Sequence, residues 1–425
     1  MPSPDRPSAP PSPARRLGAV LEPVIPRIGA LQRQRADVLS LAQGMVSWGP
    51  PAAALAAAQA ALGGEPPAGL PTPWPGRSAL ADRDRYGPME GDPLLLEAIH
   101  RDLVDHRGLD LDGTALLATA GSNMAFHAIA QVILDPGDAV LLPTPWYFNH
   151  WMAVQLAGGE PVAVDAGWIP DPERLEAAIT PRTRAIVTIS PANPSGVVMP
   201  PPVLEAINRL CARRGLFHIS DEAYAAFVHG PVPHASPGRL PGSGAHTVTL
   251  HSLSKAYGMA GWRLGYASVP RQLLGGLAQV QDTVLICPPR LLQPAAAAAL
   301  AAGPAWCAPR IARLAPRRAL LHDALAAAVA DGLPVALAAE PDGAFYGLLA
   351  CSTSLDEQVL VERLILEHGV AVLPGGAFGL AAGGGAGPGR GQGQVLLRLS
   401  YGMLDGLDLE RALQRLFGGL GALAG

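Results

Sequence analysis

Five short apolar runs, at residues 140–142, 161–164, 185–189, 216–219 and 247–250, punctuate the middle of the chain, and between several of them, as over 203–212, the apolar positions change to helical spacing. A run without polar alternation is buried on both faces, and neighbouring parallel strands need a crossover long enough to hold a helix. The pattern therefore predicts an α/β fold built on a mostly parallel sheet covered by helices. Beyond Arg271 the spacing becomes mainly helical, and apolar runs return at 344–349, 370–373 and 395–399. A smaller α+β unit is expected to begin within residues 295–310.

Length and charge set limits. At 425 residues, with 49% of them hydrophobic, the chain is expected to form two or three domains with sizeable cores. A formal net charge of -4 gives no basis for a nucleic-acid or anionic-membrane partner. Cys211, Cys287, Cys307 and Cys351 form no CxxC pair and are expected to be buried free thiols in a reducing, cytoplasmic setting. Residues 1–16, rich in proline and serine, lack the apolar centre of a signal peptide and are expected to be a disordered arm.

The alanine-rich helices expected over 52–62 and 295–302 are too short to span a bilayer, so no membrane partner is expected. The glycine-rich segment 379–394 contains neither GxGxxG nor a Walker lysine and reads as a flexible loop. The histidines, His229 and His234 among them, are expected mostly in loops, and no metal site is assigned.

One residue stands apart. Of the 31 basic residues, Lys255 alone is a lysine, within Ser252-Leu253-Ser254-Lys255-Ala256-Tyr257-Gly258 and just upstream of Gly261-Trp262-Arg263. A guanidinium stays protonated in proteins, whereas an ammonium can be tuned from a free pKa of about 10.4 toward neutrality and then attack a carbonyl. Lys255 is read as a Schiff-base lysine. A stray surface lysine is the bland alternative, and the surrounding hydroxyls, glycines and aromatic rings do not resemble a charged helical face.

Other stretches fall where ligands of a parallel sheet bind, beyond the strand ends. Gly121-Ser122-Asn123 runs from a strand into a helix start and offers amides to an anion, although an ordinary N-cap reads equally well. Pro145-Trp146-Tyr147-Phe148 is either packing or a stacking wall for a planar ring. Asn193-Pro194-Ser195-Gly196 is a turn whose asparagine amide suggests a ligand. Asp221 is either a helix cap or a buried carboxylate facing a cation such as a pyridinium nitrogen. Arg398 sits inside an apolar strand, where an unpaired guanidinium would be costly.

Taken in order, Tyr86-Gly87, Gly121-Ser122-Asn123, Pro145-Trp146-Tyr147, Asn193-Pro194-Ser195-Gly196, Asp221-Glu222-Ala223-Tyr224, Ser252-Leu253-Ser254-Lys255, Gly261-Trp262-Arg263 and Arg398-Leu399-Ser400 give a chain that resembles the class I/II, fold-type I pyridoxal-phosphate aminotransferases, the aspartate aminotransferase superfamily. The resemblance covers essentially residues 20–420. Leu41-Ala42-Gln43-Gly44, Pro145-Trp146-Tyr147-Phe148-Asn149 and Val280-Gln281-Asp282 are similar to the plant and bacterial branch that uses aromatic amino acids and methionine. The resemblance implies a three-layer large domain at 61–300 that binds pyridoxal 5'-phosphate, a small domain at 301–425, and a segment at 17–60 that joins the small domain.

It also implies roles. Lys255 would hold the cofactor as an internal aldimine and then shuttle a proton, Asp221 would pair with the ring nitrogen, Asn193 and Tyr224 would bond the ring 3-oxygen, and Tyr147 would stack on the ring. Gly121, Ser122, Asn123, Ser252 and Arg263 would bind the phosphate, with Tyr86 arriving from the partner subunit of a homodimer. Arg398 would clamp the substrate α-carboxylate bidentately, helped by Asn193 and the backbone of Gly44.

The implied reaction is ping-pong exchange between an amino acid and a 2-oxo acid. An α,β-eliminating C-S lyase, a cyclopropane-carboxylate synthase-like enzyme on the same scaffold, or a regulator without turnover are the alternatives. Ser47, Trp48 and Tyr147 would border the side-chain pocket and suit aromatic or apolar donors, a preference that Arg290 could reverse.

Overall fold

The computed structural model describes residues 12–63, 84–380 and 393–423. Its strands begin with β1 (Leu39–Ser40), β2 (Thr114–Thr119), β3 (Ala139–Pro143), β4 (Glu160–Val164), β5 (Thr183–Ile189), β6 (Phe217–Asp221) and β7 (Thr247–Ser252). They continue with β8 (Gly265–Pro270), β9 (Val335–Leu337), β10 (Tyr346–Ser352), β11 (Val370–Ala371), β12 (Leu373–Pro374) and β13 (Gln394–Ser400).

Seven strands in the order β2-β8-β7-β6-β5-β3-β4 form the central sheet, and only β8 runs antiparallel to its neighbours. The five apolar runs of the sequence are β3 to β7. β8 escapes that pattern because Gly265, Ala267 and Ser268 dilute its hydrophobicity, yet every residue in it is buried.

Side-chain alternation divides the core. Leu141 and Ile186 pack with Leu175, Ile207 and Leu210 from the helices Pro172–Ala177 and Pro201–Arg214. Val140, Leu142 and Val187 pack on the other face with Phe126 and Ile129 from the helix Ser122–Ile133 and with Phe148 and Val154 from Phe148–Leu156. Burial of each such side chain stabilises the fold by roughly 1.5–3 kcal/mol, and the result is three layers.

A separate antiparallel sheet has the order β12-β13-β10-β9, while β1 pairs in parallel with β11. The apolar run at 370–373 is thus two strands serving two sheets. Leu41 N donates to Ala371 O and Ser400 N to Leu41 O, so the segment that follows β1 is stitched between them.

Other expectations meet corrections. The alanine run at 295–302 is helical as expected: the helix starts at Gln293 and is broken at Gly303, at φ 63, beyond which a second helical stretch runs to Ala312. The stretch Arg290–Ala330 is long and apolar enough by composition to cross a membrane, and 44% of its most apolar window is buried within the protein. The helical stretches between Gln293 and Ala312 pack on Ala52–Gly63 and Pro93–Arg101. Cys287 is only half-buried and accepts a bond from Gly87 N at 3.3 Å, whereas Cys211, Cys307 and Cys351 are buried.

His100, His127, His150 and His322 lie in helices and His218 and His251 in strands, contrary to the expected loops. Among the described residues no acidic, histidine and cysteine group has a metal-holding arrangement. Residues 1–11 of the expected arm lie outside the described residues, and Arg15–Ala19 form a short 3-10 helix. Residues 381–392 of the glycine-rich segment also lie outside them.

Candidate active site

Loops leaving the C-terminal ends of β2, β3, β5, β6 and β7 converge on a cleft at that edge of the sheet, where the ligands of parallel sheets bind. Ser122, Asn123, Tyr147, Asn193, Asp221, Tyr224, Ser252, Lys255 and Arg263, all picked out in the sequence, line it, together with Ile189, Ala223 and Ser254.

Lys255 lies in the turn after β7. Its Nζ donates to the carbonyl oxygen of Gly44 at 2.6 Å and stands 5.6 Å from the centre of the Tyr224 ring. Burial lowers its pKa first, the Arg398 and Arg263 guanidiniums lower it further, and Asp221 works against them, leaving the amine at about 8. That is the tuning a nucleophilic lysine needs.

Asp221 closes β6 and is 6% exposed. One carboxylate oxygen accepts from Ala223 N at 3.0 Å and the other lies 3.2 Å from Nε2 of His150, on the helix that begins beside Tyr147. His150 is itself buried against Phe126, with ring centres 4.1 Å apart. Sequence reasoning missed it. The available signal was its spacing of three residues from Tyr147, one helical turn into the element that the aromatic loop starts.

The opposite end of the cleft is built to take an anion. The helix Ser122–Ile133 starts there with Gly121 at φ 88 as N-cap and no side chain capping it. A Cβ on Gly121 would lie 2.5 Å from an Arg263 Nη, and one on Gly265 would lie 2.7 Å from Ser122 N. Gly121 is therefore needed to bring the guanidinium over the helix start, and Gly265 to bring the first residue of β8 against it. Helix amides, the Ser252 and Ser254 hydroxyls and Arg263 make a donor-rich cradle that fits a phosphate. Together with the buried acid and the lysine, this donor set fits the pyridoxal phosphate implied by the resemblance.

Arg398, on β13 and 2% exposed, donates one Nη to the Asn193 side-chain oxygen at 3.1 Å and the other to Ala42 O. Its guanidinium sits over the rings of Tyr346, at 4.5 Å, and Phe378, at 5.4 Å. Its buried Nε meets no partner among the described residues, leaving a donor available to a carboxylate. Tyr147 lines the cleft with its hydroxyl accepting from Asn149 Nδ2 at 2.7 Å.

Not every expected residue arrives. Tyr86 is 80% exposed and does not line the cleft of its own chain. Arg290 is paired with Asp92 at 3.1 Å. Ser47 accepts a bond from Arg317 at 2.9 Å, and Trp48 donates to Ala256 O at 3.0 Å; neither lines the cleft. Tyr346, which no motif marked, bonds the Tyr224 hydroxyl at 2.6 Å.

Residues 36–416 match the profile of the family "Aminotransferase class I and II". The aspartate/prephenate aminotransferase of Thermus thermophilus is 38% identical over 310 residues, 71% of this chain and 78% of that protein. The aromatic aminotransferase ISS1 of Arabidopsis thaliana is 31% identical over 417 residues, 96% of this chain and 95% of that protein. The solved Thermus thermophilus aspartate aminotransferase with maleate superposes with a TM-score of 0.80 at 33% identity, covering 96% of this chain and 100% of that one.

Proposed function

This chain belongs to the class I and II aminotransferases, enzymes that depend on pyridoxal 5'-phosphate, and on that premise we propose that it exchanges the amino group of an aromatic or methionine-like L-amino acid with a 2-oxo acid in two half-reactions. The observation that carries the side-chain preference is the ion pair of Arg290 with Asp92 at 3.1 Å, which engages the one additional arginine considered for a second substrate carboxylate. Among the described residues, the cations at the cleft are Lys255 and Arg263, with Arg398 adjoining. Each already has a part in the site, and Ile189, Ala223 and the ring of Tyr147 give the remaining wall an apolar face.

When bound, the pyridoxal ring supplies the electron sink for charge developing at the substrate α-carbon. The residues supply the rest. Asp221, fixed by His150 and Ala223 N, offers a negative charge to a protonated ring nitrogen. Lys255, with its amine near neutrality, is the group placed to take and return a proton at the α-carbon. Arg398 and Asn193 hold the α-carboxylate and so fix which bond faces the lysine. The Ser122 end anchors a phosphate. Tyr86, exposed on a loop that Asp92, Arg290 and Cys287 tie down, is assigned to the cleft of a second copy, which makes the working unit a homodimer.

The test is a panel of amino donors against 2-oxo acid acceptors with purified, cofactor-loaded protein. Oxo-acid formation from phenylalanine, tyrosine or methionine that requires an acceptor, with aspartate a poorer donor, is the expected result. Ammonia and oxo-acid release without an acceptor would overturn transamination in favour of elimination, and preferred aspartate turnover would overturn the side-chain assignment.

A further inference from the structure

Tyr346 opens β10 and is fully buried, with a relative exposure of 0%. Three contacts meet on it. Its hydroxyl lies 2.6 Å from the Tyr224 hydroxyl, on the loop after β6. Its ring carries the Arg398 guanidinium at 4.5 Å, across the β10–β13 pair. A Cβ on Gly44 would fall 2.1 Å from its oxygen, so the phenol fills the space at residue 44, whose carbonyl receives the Lys255 amine. Tyr224, Arg398 and Lys255 come from separate parts of the chain, and Tyr346 bears on all three.

The protons can be counted. Burial pushes the Tyr346 phenol up to about 12, with Arg398 opposing, and burial and the neighbouring Tyr346 hold Tyr224 well above its ordinary value. Both phenols therefore keep their protons at neutral pH, and one of them donates to the other. If Tyr224 gives its proton to the ring oxygen of the cofactor, as the family resemblance implies, Tyr346 must be the donor within the pair. Such a chain polarises: donation into the Tyr224 oxygen makes Tyr224 the stronger donor beyond it.

We propose that Tyr346 is a positioning residue, donating its hydroxyl proton to Tyr224 and supporting the Arg398 guanidinium with its ring, so that the cofactor's ring oxygen and the substrate's carboxylate site are set by one side chain. The proposal rests on the role of Arg398 in the proposed function and on the role of Tyr224 that the family resemblance implies. Its signature is spectroscopic. A weaker bond from Tyr224 leaves more negative charge on the ring oxygen, which favours retention of a proton by the neighbouring nitrogen and raises the pH at which the bound cofactor changes colour.

The experiment titrates cofactor-loaded wild type, Tyr346→Phe, Tyr224→Phe and the double variant by absorbance, and measures 3-phenylpropanoate binding as an unreactive carboxylate. Tyr346→Phe, which keeps the ring under Arg398, is expected to raise the midpoint by roughly half a pH unit or more and to leave the carboxylate within about twofold, whereas Tyr346→Leu, which removes the ring, is expected to weaken the carboxylate by roughly threefold to tenfold. In the Tyr224→Phe background Tyr346→Phe is expected to move the midpoint no further. Tyr346→fluorotyrosine keeps the shape, has a more acidic phenol and is expected to lower the midpoint, which keeps the test open if the phenylalanine variant does not fold. A wild-type midpoint in both the phenylalanine and the fluorotyrosine variant, or additive shifts in the double variant, overturns the proposal. A wild type that takes up no cofactor overturns the underlying assignment of the site instead.

Discussion

The amine of Lys255 and the carbonyl oxygen of Gly44 lie 2.6 Å apart although 211 residues separate them in the chain. The segment after β1 thus reaches across the cleft mouth and takes the proton-bearing end of the chain's single lysine. It does so next to Arg398, whose second Nη is taken by Ala42 two residues earlier.

That environment sets a pH dependence. The amine titrates at about 8 in the folded chain against an ordinary 10.5. Capture of pyridoxal phosphate by cofactor-free protein is therefore expected to speed up with pH and level off above about 8, followed by absorbance in stopped flow. Between the two values the unfolded chain binds more protons than the folded one, so the stability of the cofactor-free protein should rise with pH across that window. Lys255→Met should remove that slope in thermal unfolding, and Lys255→Ala should leave no cofactor attached after borohydride reduction.

Arg398→Lys keeps a cation but loses the planar fork that grips Asn193, Ala42 and a carboxylate together. With a buried, multiply bonded guanidinium lost, kcat/KM for the amino donor should fall roughly a hundredfold or more, mostly through KM. Steady-state kinetics on both substrates checks this, since both carry the same α-carboxylate.

Gly121→Ala places a methyl group 2.5 Å from Arg263 at a backbone with φ 88. Strain of about 1–3 kcal/mol and a displaced guanidinium should weaken the cofactor roughly tenfold or more. Gly261→Ala, with nothing within 4 Å of the added atom, serves as the control and should stay within about twofold. Equilibrium dialysis of the cofactor distinguishes them.

Glu222, beside Asp221 and 2% exposed, accepts from Ser236 Oγ at 2.6 Å and meets His234 Nε2 at 3.2 Å. Burial works to raise its pKa, but His234, the nearby His251 and Ser236 hold the carboxyl at about 2 against an ordinary 4.5. Its stabilisation is full above pH 4.5 and is lost as pH falls toward 2, because the unfolded chain takes up the proton first. Glu222→Gln should cost roughly 2–3 kcal/mol at neutral pH and flatten acid unfolding over that interval, measured by urea denaturation across pH.

What could be read in advance followed from chemistry that tolerates few residue types. Lys255, Asp221 and Arg398 are ionisable side chains set in apolar surroundings, and Asn193 sits in a proline-flanked turn, so the neighbourhoods that meet at the cleft were visible in the letters. The strands β3 to β7 were visible because burial on both faces writes an unbroken apolar run. β8 stayed hidden because an antiparallel strand between two others can be made of small residues, its hydrogen bonds being satisfied from both sides. His150 and Tyr346 stayed hidden for another reason. A histidine on a helix and a tyrosine in an apolar strand are ordinary packing residues until a fold lays one against Asp221 and the other against Tyr224, and that distance has no local signature.

Lys255 and Arg263 both ride on the single connection from β7 to β8, where Ser252 faces Gly265 in register and Leu253 N bonds Leu264 O at 3.2 Å. Amine and guanidinium are thereby locked to one hairpin, and their separation is a local property. Arg398 belongs to a different sheet. Any rocking of the smaller sheet would shift the grip on the incoming acid while the vitamin's moorings kept their spacing.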